Sequence, residues 1–151
     1  MFARALVAFV ACPGIVAIAA PVILLVVTSH TQLLQPFGLV LLVAGFVMLL
    51  WCVRDFYVSG QGTLAPWAPP RKLVVVGLYR YTRNPMYVAV TLILLGWAWS
   101  FLSLEMLVYA LVTAVAFHFR VVLGEEPWLA RTHGDDWQQY ASQVPRWFWK
   151  R

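Results

Sequence analysis

Ionisable and aromatic residues gather in two short stretches of a chain that otherwise carries few charges. The first stretch ends in Arg83-Asn84-Pro85-Met86-Tyr87, and the second contains the pair Glu125-Glu126. An asparagine followed by a proline is typical of a helix N-terminus, where free backbone N–H groups bind an anion such as a carboxylate. The glutamates, together with His118, are the proton acceptors nearest to this helix start. These residues are therefore the candidate catalytic and binding groups of the chain.

The same residues are also compatible with a purely structural role. Residues seven apart lie on one face of a helix, so His118 and Glu125 are expected to line up about 10 Å apart along its axis. The two glutamates are equally compatible with solvated carboxylates, or with ion pairs to Arg83 or Arg120. An Asn-Pro step with neighbouring arginines also begins many membrane helices. The residue types alone leave both interpretations open.

The composition indicates which kind of structure must position these residues. The chain has 151 residues, of which 62% are hydrophobic and only 11% charged. One compact unit of this length has more apolar surface than its core buries, so the excess must face lipid. This excludes an ordinary water-soluble enzyme. Cys12 and Cys52 lie in apolar runs and are expected to be packing residues, and three scattered histidines predict no metal site.

Four long uncharged runs predict four transmembrane helices, and hence an all-α integral membrane protein with a single membrane domain. Pro13, Gly14 and Pro21 lie inside the first run and are expected to bend it, provided that a neighbouring helix satisfies the freed carbonyl groups. A cleavable signal peptide is the alternative for this run, but the apolar stretch continues beyond the length of a signal core. The predicted spans are residues 5–29, 37–53, 86–103 and 105–123, with a loop at 54–85 and a C-terminal segment at 124–151. This segment is expected to contain two short helices, 126–133 and 135–143, which Gly134 separates.

The positive charges predict the orientation of these spans. If the N-terminus is cytoplasmic, all eleven lysines and arginines fall on the cytoplasmic side, which is where such residues collect. Both termini and the candidate site are then cytoplasmic, and we expect the protein in a bacterial inner (plasma) membrane. Because the connection near Ser103 is short, the last two spans are expected to form an antiparallel hairpin. The hairpin would bring the two polar stretches together in one pocket at the membrane edge.

The polar stretches resemble the C-terminal half of the isoprenylcysteine carboxyl methyltransferase and phospholipid methyltransferase superfamily of integral membrane enzymes. In that superfamily an Arg-His-Pro-x-Tyr motif begins one helix and a Glu-Glu pair ends the next. A Gly-x-x-(Tyr/Trp)-x-x-Tyr-x-x-x-Val-Pro motif follows. The matching segments here are Arg83 to Tyr87, Glu125-Glu126, and Gly134 to Tyr140 with Val144-Pro145. They occur in the same order and with the same spacing.

The resemblance implies a site and a cofactor. It implies S-adenosylmethionine as methyl donor, bound between the last two spans and covered by the C-terminal segment. An amine or thiol acceptor would have to lose a proton, so Glu125, Glu126 and His118, the nearby proton acceptors, are the candidate catalytic residues, and Arg120 is the candidate substrate-binding residue. The cofactor contacts carried over by position are Arg71, Lys72, Leu73, Val74, Tyr79, Asn84, Pro85, Met86, Tyr87 and Glu125.

Two positions depart from the pattern of the superfamily. Asn84 stands where the superfamily has histidine, so it keeps a hydrogen-bond donor but cannot titrate. Val121 stands where the carboxyl methyltransferases have their substrate-binding arginine, and the arginine here is Arg120, one position earlier. These departures leave the methyl acceptor open between a carboxylate, an amine and a thiol.

We expect the acceptor to be a lipid or a lipophilic small molecule that enters from the bilayer, and we expect no nucleic acid partner. Two other classes of protein share some of these features. A sterol-reductase-type enzyme that binds NADPH has a similar C-terminal half, and a small non-enzymatic bundle needs only the spans.

Overall fold

A computed structural model describes residues 10–28, 35–59 and 73–148. Every regular element in these ranges is helical. The first residues of the first predicted span, the middle of the predicted loop, and Arg71 and Lys72 lie outside the described residues. The elements are a π-helical segment Val10–Ala19, α1 (Ala20–Val27), α2 (Pro36–Ser59), a 3-10 turn Gly77–Arg80, α3 (Pro85–Phe101), α4 (Leu104–Arg120), a π-helical segment Val121–Glu125, and α5 (Glu126–Gln143).

The helix ends follow local residue chemistry at the hairpin between α3 and α4. α3 ends at Leu102, which has a left-handed backbone with φ of 48°. Ser103 then caps α4, because its hydroxyl accepts a hydrogen bond from the Met106 N–H at 3.2 Å. The turn predicted near Ser103 is therefore present. α2 differs from the prediction, because its helix continues to Ser59 through the first residues of the predicted loop.

The first helix is irregular around its prolines, and its neighbours compensate for this. Pro21 has no N–H, so in a regular α-helix the carbonyl of Ala17 would lack its partner. Trp97 on α3 donates its indole N–H to that carbonyl at 3.0 Å. Tyr109 on α4 donates its hydroxyl to the Val16 carbonyl at 3.2 Å. These two bonds are the compensation that the sequence required, and they attach the first helix to the hairpin.

α3 is the central helix, and glycines allow α2 to pack closely against it. A Cβ atom on Gly38 would lie 2.4 Å from the Ser100 backbone N, and one on Gly96 would lie 2.8 Å from the Leu42 N. Neither neighbour is a flexible side-chain end that could move aside. Small residues at helix contacts are common in membrane proteins, because close packing replaces the hydrophobic effect there.

Gly38→Ala is therefore expected to destabilise the protein by about 1–3 kcal/mol, the usual cost of overpacking a core. Gly124→Ala is the matched control, because nothing lies within 4 Å of a Cβ atom there. Both changes add the same helix propensity, so their difference isolates the packing cost. Thermal unfolding in detergent measures it. Equal melting temperatures for the two variants would contradict the close contact between α2 and α3.

The described residues contain two helices long and apolar enough to cross a membrane, Pro36–Ser59 and the continuous helical run Leu104–Gln143. Two shorter apolar helices, Gly14–Val27 and Pro85–Phe101, accompany them. Large apolar side chains on the outer faces of the bundle are more than half exposed, as expected of surfaces that face lipid. Examples are Val40, Val43 and Val47 on α2 and Leu111 and Val115 on α4.

α5 continues from α4 through the π-helical segment and bends at a glycine. Gly134 has φ of 50° and ψ of −120°, which are not helical angles. The sequence predicted one helical stretch before Gly134 and another after it, and the structure confirms this break. The bend directs the second half of α5 towards the start of α3. Trp137 and Tyr140 are buried there and pack with Leu73 and Val144.

Candidate active site

A cavity lies where the end of α2, the start of α3, the π-helical segment Val121–Glu125 and both halves of α5 meet. Its empty volume is about 580 Å³, including the solvent at its open mouth. Its wall contains both polar groups and large apolar side chains. The lining residues are Phe56, Leu73, Val74, Tyr79, Arg83, Asn84, Met86, Tyr87, Glu125, Leu129, His133, Trp137 and Tyr140.

Glu125 is the carboxylate of this cavity. Its Oε1 atom accepts hydrogen bonds from the Tyr87 hydroxyl and from Arg120 Nε, the latter at 3.0 Å. Arg120 Nε also donates to the Tyr87 hydroxyl oxygen at 3.0 Å. Both contacts use the same carboxylate oxygen, so Oε2 of Glu125 has no hydrogen-bond partner among the described residues. The second oxygen is therefore available to a cationic or hydroxyl group in the cavity.

The start of α3 supplies a second polar wall. Asn84 stands at the N-cap position with Pro85 directly after it, as the sequence predicted, but the Asn84 side chain makes no capping hydrogen bond. It instead donates from Nδ2 to the carbonyl oxygen of Arg146 at 3.0 Å. Without a side-chain cap, the first N–H groups of α3 remain available to an anion.

Glu126 faces away from the cavity and holds the C-terminal segment in place. It forms an ion pair with Arg83, with 2.9 Å between Nη1 and Oε1, and accepts two hydrogen bonds from Arg146, at 2.9 and 2.6 Å. The Arg83 and Glu126 side chains are only 13% and 14% exposed, so water screens this pair weakly. Burial lowers the pKa of Arg83, whereas the hydrogen bond to Glu126 raises the pKa of Arg146. We interpret Glu126 as the centre of an ion triad rather than as a group that contacts substrate.

Backbone and side-chain hydrogen bonds extend this contact between the C-terminal segment and the start of α3. The Arg83 N–H donates to the Pro145 carbonyl at 2.9 Å, and the Thr82 hydroxyl donates to the Arg146 carbonyl at 3.0 Å. Arg83 also lies 5.5 Å from the ring centroid of Trp137, a cation–π distance. One side of the cavity is thus closed by chain that is remote in sequence.

Tyr79 and Tyr140 join the two sides of the cavity at a further point. The buried Tyr140 hydroxyl donates to the Tyr79 carbonyl at 2.7 Å. The Tyr79 side chain is 6% exposed, and burial raises the pKa of its phenol well above 10. Tyr79 therefore stays neutral at physiological pH, and its ring forms an uncharged part of the wall.

Tyr140→Phe is expected to destabilise the protein by about 1–3 kcal/mol, because the buried carbonyl of Tyr79 loses its donor. Ser142→Ala is a suitable control, since the Ser142 hydroxyl makes only a local, exposed hydrogen bond to the Gln139 carbonyl. Chemical unfolding of both variants in detergent measures the difference. If Tyr140→Phe is no less stable than Ser142→Ala, the Tyr140 contact does not fasten α5.

The structure brings most of the predicted cofactor contacts to one cavity. Pro85 is fully buried behind the wall rather than in it, and Arg71 and Lys72 lie outside the described residues. Arg120 reaches the cavity through Glu125 and Tyr87. The predicted cofactor contacts that line the cavity are Leu73, Val74, Tyr79, Asn84, Met86, Tyr87 and Glu125.

The structure leaves His118 outside the cavity lining. Its side chain is exposed, and its Nδ1 accepts a hydrogen bond from the Trp147 indole at 3.2 Å. The expected alignment with Glu125 assumed a regular α-helix, whereas the residues between them include the π-helical segment Val121–Glu125. A π-helical turn holds an extra residue, which rotates the following side chains about the axis. The geometry thus gives His118 no part in the site.

Sequence patterns missed two polar groups in this region. His133, one of the three scattered histidines, lines the cavity, and its buried Nε2 has no hydrogen-bond partner among the described residues. Asp55 of α2 lies beside the cavity and is 5% exposed, and its Oδ2 also has no partner within the described ranges. That oxygen lies next to Gly77, where a Cβ atom would approach it to 2.0 Å. An aspartate inside an apolar helix was the one available signal for Asp55, and nothing local marked His133.

One comparison with known families gives a match. The model of the family described as phospholipid methyltransferase matches residues 33–136, which include α2, α3, α4 and the first half of α5. No curated protein and no solved structure matches the chain. The matched range contains the Asn84, Tyr87 and Glu125 positions of the cavity.

Proposed function

Because this chain belongs to the phospholipid methyltransferase family, we propose that it is a membrane methyltransferase with S-adenosylmethionine as its methyl donor. The observation that carries this proposal is that Asn84 and Tyr87 at the start of α3 and Glu125 at the end of the π-helical segment, 38 residues after Tyr87, line one cavity. This cavity offers an uncapped helix N-terminus and a carboxylate to a ligand that carries both an acidic and a basic group.

Each chemical group of the methyl donor has a suitable partner among the residues of the cavity. The free N–H groups at the start of α3 suit its carboxylate. The unpartnered Oε2 of Glu125 suits its amino group or a ribose hydroxyl. The rings of Tyr79 and Tyr87 can face a sulfonium cation, which aromatic faces attract. The donor supplies a methyl group on positively charged sulfur, so the protein mainly has to align the reactants and exclude water.

The acceptor is proposed to be a lipid or a lipophilic small molecule with a carboxylate, amine or thiol nucleophile. Arg120 is 55% exposed at the end of α4, and only its Nε is used by Glu125 and Tyr87. Its terminal nitrogens are available to an anionic group of an acceptor at the membrane surface. For an amine or thiol, Glu125 is the carboxylate in the cavity that could accept the proton.

Four spans with cytoplasmic termini are part of the same proposal. The four apolar helices and the one-sided distribution of Lys and Arg support it. In this arrangement the cavity opens to the cytoplasm, where the soluble donor is found, and the acceptor arrives from the bilayer. We propose the bacterial inner membrane as its location.

Calorimetric titration of the detergent-purified protein separates this function from its alternatives. S-Adenosylhomocysteine, the product form of the donor, is expected to bind saturably, and NADPH is not. Saturable binding of NADPH alone would favour a reductase, and binding of neither would favour a non-enzymatic bundle. Incubation of native membranes with methyl-labelled donor, followed by identification of the labelled product, then identifies the acceptor. Membranes that lack this protein are the control.

A further inference from the structure

We propose that His133 recognises the purine ring of the methyl donor by a hydrogen bond from or to its Nε2 atom, and this inference rests on the proposed function. His133 would then be a specificity-determining residue at the end of the cavity opposite Glu125. Three features of the structure support this role: an unpartnered atom, an apolar slot around it, and its distance from the charged end.

The first feature is the state of the imidazole. Nε2 of His133 is buried and has no hydrogen-bond partner in the part of the chain that the structure describes, although the side chain lines the cavity. A buried polar atom without a partner costs about 1–3 kcal/mol, and native structures rarely retain one without a reason. Because the atom is shielded from bulk water, a group held inside the cavity is the partner that would remove this cost.

The second feature is the surface on either side of His133. Leu129, His133 and Trp137 follow one another at intervals of four along α5, and all three line the cavity. Leu73 also lines the cavity and packs against the cluster that contains Trp137. A flat aromatic ligand binds well between apolar and aromatic side chains, whereas a charged amino acid does not. This part of the cavity therefore suits the nucleobase of the donor.

The third feature is the separation of His133 from Glu125, the carboxylate of the cavity. Glu125 precedes His133 by eight residues, which corresponds to about 12 Å along a helix. A nucleoside joined to an amino acid has an aromatic end and a zwitterionic end. The cavity wall likewise has apolar and aromatic side chains around His133 and a carboxylate at Glu125. With the amino acid near Asn84 and Glu125, the purine lies towards His133.

The hydrogen-bonding edge of the purine then determines selectivity. Adenine presents an amino group and a ring acceptor side by side, and neutral imidazole has one donor and one acceptor nitrogen. Nε2 can pair with this edge in either tautomer. The base 1-deazapurine has only C–H groups on this edge, so it leaves Nε2 without a partner in either tautomer. An unpaired polar group at such a contact is the usual source of discrimination between related ligands.

The experiment compares the binding of S-adenosylhomocysteine with that of its analogue in which 1-deazapurine replaces adenine, using calorimetry on the purified protein. The wild type is expected to prefer the adenosyl compound by about tenfold, the effect of one buried hydrogen bond. His133→Phe should bind the two compounds with about equal affinity. His133→Gln, whose amide nitrogen or oxygen can lie near the position of Nε2, should restore part of it. Thr132→Val, an exposed neighbouring position, should retain the full preference.

The outcomes separate this inference from the proposed function. If the wild type binds neither ligand, the proposed function fails. If the wild type binds S-adenosylhomocysteine but His133→Phe retains the preference, the function stands and the role of His133 is wrong. An equal loss of affinity for both ligands also overturns the assignment, since it indicates a structural role. Size-exclusion profiles and melting temperatures of each variant exclude misfolding as the cause.

Discussion

Replacement of Glu125 with Gln is expected to weaken the binding of S-adenosylhomocysteine by about tenfold to a hundredfold. A hydrogen bond to a charged group contributes about 1.5–3 kcal/mol, and Glu125 is the carboxylate that lines the cavity. Gln retains the size of the side chain but has no negative charge for the amino group of the ligand. Its contact with Arg120 also weakens, because a neutral acceptor binds a guanidinium less strongly.

The measurement is calorimetric binding to detergent-purified protein, with Asp136→Asn as the matched control. Asp136 is exposed on α5 and does not line the cavity, so the control also removes one carboxylate charge. Its affinity should equal that of the wild type. An unchanged affinity in Glu125→Gln would remove the assigned role of Glu125, whereas an equal loss in both variants would indicate a long-range charge effect.

Replacement of the neighbouring Glu126 with Gln is expected to act mainly on stability. The charge of Glu126 is shared by Arg83 and Arg146, and its loss leaves two adjacent arginines that repel each other. Breaking a buried ion pair costs about 3–5 kcal/mol. For a protein of this size, each kcal/mol lowers the melting temperature by about 2–4 °C, so a decrease on the order of 10 °C is expected.

Two measurements test the role of Glu126. Thermal unfolding of Glu126→Gln is compared with that of Asp135→Asn, an exposed carboxylate on the same helix. Trypsin cleavage after Arg146 should accelerate in Glu126→Gln, because the segment loses the contact that fixes its guanidinium. A melting temperature equal to that of Asp135→Asn, together with unchanged cleavage, would show that the triad does not fasten the C-terminal segment.

The different expectations for Glu125 and Glu126 show where sequence reasoning reached its limit. Both residues were candidates for the same catalytic role, because a local pattern does not distinguish two adjacent carboxylates. Successive residues on a helix point in directions about 100° apart, so only one of them faces the cavity. Which one it is depends on how α4, the π-helical segment and α5 are rotated, and no pattern within the pair encodes this rotation.

The positions of the helices could be predicted because their signals are local. Long apolar runs indicated the helices, Pro85 indicated where α3 begins, and Gly134 indicated where α5 bends. Hydrogen bonding within a helix and the conformational limits of proline and glycine act over a few residues, so they can be recognised in one sequence. The clustering of Asn84, Tyr87 and Glu125 could be predicted for the same reason, since a short hairpin leaves its two helices little choice of arrangement.

The remaining features of the site depend on contacts between residues far apart in the chain. The Arg83–Glu126–Arg146 triad, the unpartnered Nε2 of His133 and the burial of Asp55 all arise from the way that the second half of α5 and the end of α2 meet the start of α3. The packing of side chains decides these contacts. One extra residue in a helical turn, as in the π-helical segment, is enough to alter them. The structure was needed to tell the carboxylate that faces the cavity from the one that fastens the chain around it, because burial and pairing are properties of the whole fold.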